Sequence, residues 1–84
     1  MSVKHKEKNI LVTGGAGYIG SQTCKLLKKK GYNPITYDNL SNGYKKSVKW
    51  GKLIKGDINN SNLLKKTILK YKPNAIFHFA ALTS

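Results

Sequence analysis

The residues whose types and spacing can do chemistry lie close together in the chain. Gly15-Ala16-Gly17-Tyr18-Ile19-Gly20 matches G-x-G-x-x-G, and Gly14 extends the run by one more glycine. Asp38 follows 18 residues after Gly20. Such a glycine run suits the binding of a diphosphate by backbone. The first glycine permits a sharp turn out of a strand, and Gly17 lacks the Cβ that would keep an anion off the main chain. Gly20 lets a following helix pack closely on the sheet. A helix starting there adds unpaired N–H groups and a partial positive charge. A carboxylate at Asp38 can accept hydrogen bonds from both hydroxyls of a ribose and repel a 2′-phosphate. Together these residues describe a dinucleotide site that takes NAD in preference to NADP. The other reading is a plain glycine turn with an unrelated loop aspartate. A P-loop is excluded, because no Gly-Lys-Ser/Thr follows the glycines.

The motif has meaning only if a strand precedes it and a helix follows. Asn9-Ile10-Leu11-Val12-Thr13 is a short apolar run rich in β-branched residues, the pattern of a strand buried on both faces. From Tyr18 to Lys30 the period is helical. Ile19, Thr23, Leu26 and Leu27 are expected on the buried face, with Gly31 as the stop. Pro34 forces extension, and Ile35-Thr36-Tyr37 reads as a second strand ending at Asp38. Residues 39–51 read as a loop or one short turn. Lys52-Leu53-Ile54-Lys55 is a third strand closed by Gly56-Asp57. Asn60 or Ser61 caps a second helix that runs to about Tyr71, with Leu63, Leu64, Ile68 and Tyr71 as its apolar stripe. Pro73 ends it, and Ala75 to Phe79 form a fourth strand that runs into Ala80-Ala81. The expected fold class is α/β: a partial Rossmann fold, with a parallel sheet of about four strands and flanking helices.

Composition narrows the rest. All 16 basic residues are Lys, against Glu7, Asp38 and Asp57, for a net charge of +13. A polyanion partner is one reading of that excess. Compositional bias is the other, and it is favoured here, because bidentate base readout relies on Arg and the chain has none. No specific nucleic-acid partner is expected. One cysteine, Cys24, excludes an internal disulfide, and two histidines leave no Cys/His metal cluster. No run approaches the length of a membrane span, and the basic N-terminus lacks the apolar stretch of a signal peptide. A cytoplasmic protein with no membrane partner is the default expectation.

Four segments carry a family resemblance. They are Ile10 to Ser21, Tyr37-Asp38-Asn39-Leu40-Ser41-Asn42-Gly43, Gly56-Asp57-Ile58 and His78-Phe79-Ala80-Ala81. In this order they resemble the extended short-chain dehydrogenases/reductases, in the nucleotide-sugar-modifying branch. Within it they look closest to the group that interconverts UDP-glucose and UDP-galactose through a 4-keto sugar. The resemblance implies an NAD site in which Gly14, Gly17, Tyr18, Ile19 and Gly20 meet the pyrophosphate. Asp38, Asn39, Leu40, Ser41, Asn42 and Gly43 would surround the adenosine ribose, and Asp57 and Ile58 would frame the adenine. Phe79, Ala80, Ala81, Leu82 and Thr83 would pass beneath the cofactor. Bland alternatives stand beside these roles. Asp57 can be a strand-end turn residue, Phe79 a core residue, His78 a packed strand residue and Cys24 a small buried apolar group. Gln22 stands where the family commonly has His, and Thr83 where its epimerases often have Lys.

By the resemblance, the reaction needs Tyr-x-x-x-Lys to make a phenolate base. Four residues after Tyr18, Tyr32, Tyr37, Tyr44 and Tyr71 come Gln22, Thr36, Ser41, Val48 and Ala75. No catalytic residue is therefore assigned. The expectation is a flexible tail over residues 1–8 and the N-terminal half of an NAD-binding domain over 9–84, inactive alone. The nucleotide-sugar substrate would be met only by the intact enzyme. The family's homodimer interface is expected to be missing, and strand four would be left as an uncovered edge, giving marginal folding or self-association. A small basic nucleic-acid-binding module, another nucleotide-sugar epimerase or dehydratase, and a remnant without present function are the competing readings.

Overall fold

The computed structural model describes residues 8–40, 46 and 48–79. Strands β1 (Asn9–Thr13), β2 (Asn33–Asp38), β3 (Lys52–Lys55) and β4 (Ala75–His78) alternate with helices α1 (Tyr18–Lys29) and α2 (Ser61–Tyr71) in the order β1-α1-β2-β3-α2-β4. All pairings are parallel, and the spatial order is β3-β2-β1-β4. The expected α/β fold, a partial Rossmann fold with a four-stranded parallel sheet, is present.

The order explains the layering. The chain steps outward from β1 to β2 and β3, then returns across α2 to the far side of β1. Crossovers of one hand in opposite directions put their helices on opposite faces. The side chains agree. Ile10, Val12 and Cys24 form one buried cluster, with Leu27, Trp50 and Phe79 against it. Leu11, Ile35 and Tyr37 form the other, covered by Ile54, Leu63, Leu64, Ile68 and Tyr71. Alternate residues of β1 thus point to the two helical layers, which is why its sequence is continuously apolar.

Two sequence expectations shift. The buried face of α1 is Gly20, Cys24 and part of Leu27, while Ile19 and Leu26 are exposed. The helix sits so close to the sheet that small residues, rather than the bulkiest apolar ones, occupy its contact line. The sequence places Lys8 in the tail, yet its carbonyl accepts from the Asn33 amide at 2.8 Å. Residues 1–7 of that expected tail lie outside the described residues. The second helix follows its expectation: Asn60 Oδ1 accepts from the Leu63 amide at 3.1 Å, capping the first turn. Among the described residues no helix is long and apolar enough to cross a membrane.

Candidate functional site

The strands' registers bring their C-terminal ends to one edge. Thr13 pairs with Tyr37 and His78, and Asp38 pairs with Lys55. Gly14, Asp38, Gly56-Asp57 and Phe79 therefore follow at one end of the sheet. The strand order reverses at β1, so the edge between β1 and β4 is the switch point where ligands bind in open α/β sheets.

The glycines divide the work differently from the simple motif. The turn out of β1 needs a positive φ, and Gly14 supplies it at 78°. The motif alone assigns that turn to Gly15. Its constraint is instead packing, since an added Cβ would lie 2.5 Å from Thr36 Oγ1. At Gly20 a Cβ would run into the Gly14 carbonyl and Gly15 Cα, so α1 rests on the turn as well as on the sheet. Gly17 differs from both. Its φ of −80° suits any residue, and its nearest obstacle would be the Gly14 oxygen at 3.5 Å, an ordinary contact. Nothing inside the fold requires glycine there. The open space in front of it does, if an anion is to reach the backbone.

That space faces an uncapped helix end. No side chain caps Gly17, and the first turn of α1 carries no acidic residue. The amides of Tyr18, Ile19 and Gly20 have no intrahelical acceptor at these positions, and the helix end carries about +0.5 elementary charge. Tyr18 and Ile19 are exposed beside it.

Asp38 faces the same turn. Its Oδ2 accepts from the Ala16 amide at 2.9 Å and its Oδ1 from the Leu40 amide at 2.7 Å. The carboxylate is thereby held between the glycine turn and the start of the next loop. Each oxygen keeps a second lone pair for an incoming hydroxyl. Ala16 is the residue that motif reading missed. It acts through a backbone amide, so its side chain carries no signal.

The remaining candidates separate. Asp57 lies at the end of β3 and its Oδ1 accepts from the Asn59 amide at 2.7 Å, the turn role foreseen as its alternative. Its carbonyl accepts from the buried Tyr37 hydroxyl at 2.8 Å. Burial first, and the Asp57 charge second, push that phenol's pKa above its ordinary range. Ile58 follows, half-buried. Phe79 donates its amide to the Thr13 carbonyl at 2.9 Å, while its ring joins the α1-side core. His78 Nδ1 and Thr13 Oγ1 share a 2.6 Å hydrogen bond. Cys24 is buried against Thr36; desolvation pushes its thiol pKa up, and the Thr36 hydrogen bond only partly opposes this. Asn39 is exposed next to Asp38. Ser41, Asn42, Gly43, Ala80, Ala81, Leu82 and Thr83 lie outside the described residues.

Residues 10–84 match the family model described as the NAD dependent epimerase/dehydratase family. The chain belongs to that family. A UDP-glucose 4-epimerase of Rhizobium meliloti is 57% identical over 77 residues, which is 92% of this chain and 24% of that protein. The crystal structure of UDP-glucose 4-epimerase from Brucella ovis in complex with NAD superposes with a TM-score of 0.86 at 52% identity, over 87% of this chain and 22% of that one. A dTDP-glucose 4,6-dehydratase from Bacillus anthracis in complex with NAD gives 0.80 at 35% identity, over 87% of this chain and 26% of that one. This member of the epimerase/dehydratase family thus spans about a quarter of the length of these relatives, and its likeness lies in their N-terminal region.

Proposed function

We propose that these residues form the part of an NAD site that holds the adenosine and pyrophosphate of the cofactor, in a protein of UDP-glucose 4-epimerase type. Gly17 is the observation that carries this reading. It is the glycine that packing does not demand, and it stands before an uncapped helix end next to an oriented carboxylate. The residues fit NAD. The amides of Tyr18, Ile19 and Gly20 would face the pyrophosphate, and Asp38 would accept from the ribose hydroxyls. Asp57 and Ile58 would border the adenine. Phe79 would hold the floor of the site through its backbone. The bound nicotinamide supplies hydride acceptance and return.

These residues bind and orient; they do not move the sugar's proton. Among the tyrosines none has Lys four residues on. The parent activity would interconvert UDP-glucose and UDP-galactose, and the nucleotide sugar would meet other parts of such a protein. A cytoplasmic location and a role in galactose metabolism follow from the same reading. Residues 9–84 would form the N-terminal half of the NAD-binding domain. The 84 residues alone should give no turnover of UDP-galactose above a blank in a coupled assay.

Calorimetry tests the binding claim. NAD should bind tighter than NADP, because Asp38 repels a 2′-phosphate. Asp38→Ala should weaken NAD by about tenfold or more, the scale of a charge-assisted hydrogen bond, and shrink the gap to NADP. Equal affinities for NAD and NADP in the unaltered chain refute the reading.

A further inference from the structure

A cleft of about 410 Å³ runs beside the body of α1, beyond its first turn, and belongs to none of the features above. Ser21, Gln22, Lys25, Lys46, Lys49 and Trp50 line it. Its volume lies within the range of small-molecule sites. Three of the six lining residues are lysines, Lys25, Lys46 and Lys49, and among the described residues no carboxylate lines it. Among the described residues the acidic side chains are Asp38 and Asp57, and both accept backbone amides elsewhere. Three like charges around one cleft repel one another, and a multivalent anion relieves that repulsion. Lysine ammonium groups serve as point-charge phosphate binders. Gln22 adds a neutral hydrogen-bonding group, while the Ser21 hydroxyl donates to the Tyr18 carbonyl at 3.0 Å. Trp50 closes the cleft with a half-buried indole, anchored on the Ile10, Val12 and Cys24 cluster.

We propose that this cleft is a second anion site that takes an oligophosphate, either free or carried by a nucleoside. It is independent of the NAD reading, because none of its lining residues belongs to the glycine turn or to Asp38.

The chain's single tryptophan is Trp50, so its emission reports the cleft directly. The full chain is titrated at moderate salt with tripolyphosphate and with ADP. The titrations are repeated on Gly17→Val, on Lys46→Glu/Lys49→Glu, and on Lys65→Glu/Lys66→Glu, which makes the same charge change on α2. Both ligands should give a saturable change in Trp50 emission. The response should persist in Gly17→Val and in the α2 variant. It should weaken at least about tenfold in Lys46→Glu/Lys49→Glu, the effect of placing carboxylates where phosphate would sit. Tighter binding of ADP than of tripolyphosphate supports the nucleoside-borne form; the reverse order supports the free form. A non-saturating response, its loss in Gly17→Val, or equal weakening by the α2 variant overturns the proposal. So does a Trp50 emission maximum at the position of fully exposed indole, since the cleft requires a half-buried ring.

Discussion

The two halves of this sheet are built to different standards. β1 and β2 bury nearly every residue, and the turn between β1 and α1 is packed tightly at Gly15 and Gly20. The other half is thin. β3 is only partly covered, α2 buries Thr67 alone, and every residue of β4 is exposed. Every element of the anion mouth comes from the first half: the Gly14 turn, the start of α1 and Asp38. A preorganised anion site needs rigid backbone more than it needs a complete domain. The second half supplies cover for one face of β2 and an edge against which more structure can be laid.

Glycine substitutions test that division most severely. Gly20→Ala drives a methyl group into the Gly14 carbonyl, so the turn must leave the helix. We expect a loss of about 2–3 kcal/mol in stability, seen as a lower denaturant midpoint. At Gly17 an added Cβ meets only an ordinary contact, so Gly17→Val should lower the midpoint by less than Gly20→Ala, through the poorer helix cap alone. The same substitution should weaken NAD by about a hundredfold, since its side chain fills the anion's approach. If Gly17→Val unfolds the chain while Gly20→Ala does not, the assignment of space and packing at these two positions is reversed.

The exposed half should reveal itself through association. Ile76 is 50% exposed on β4, whose outer edge carries unpaired backbone groups among the described residues. Such an edge is a template for pairing with another strand. The unaltered chain should self-associate as concentration rises in sedimentation experiments. Ile76→Lys should suppress this at a stability cost within about 1 kcal/mol, because the side chain is already half in water. A strictly monomeric chain at high concentration removes the contrast between the halves.

Much of this was legible in the residues. Strands, helices and their order follow from periodicity and from punctuation by Gly14, Gly31 and Pro73. Asp38 was placed by its distance from the glycines, and its carboxylate does face the turn. What stayed hidden has two physical sources. Contact lines that depend on close approach favour small residues, so the stripe of α1 is Gly20 and Cys24, although Ile19 and Leu26 look more apolar. Backbone groups carry no residue-type signal, so Ala16 escaped notice. The cleft at Trp50 escaped for a third reason. Its lysines come from two distant segments and stood among so many others that none was distinctive.

Tyr37 joins the two halves and gives the smallest expected effect. Its ring is in the buried cluster of β1 and β2, and its hydroxyl donates to the Asp57 carbonyl at the end of β3. Its folded pKa is raised above the ordinary tyrosine value of about 10. The phenol therefore ionises more easily in the unfolded chain than in the folded one. Its contribution to stability is complete below about pH 10 and is lost as pH rises from there through the folded value. Tyr37→Phe deletes the titration and one hydrogen bond. It should cost about 1 kcal/mol at neutral pH, where Asp57 is exposed and water can replace the lost donor. Thermal melts between about pH 9 and 11 should fall more steeply for the unaltered chain than for Tyr37→Phe. Changes common to both chains cancel, so the difference between their slopes isolates the phenol. Parallel slopes would mean that Tyr37 is already open to solvent, and that the tie between the well-built half and the thin one is weaker than its hydrogen bond suggests.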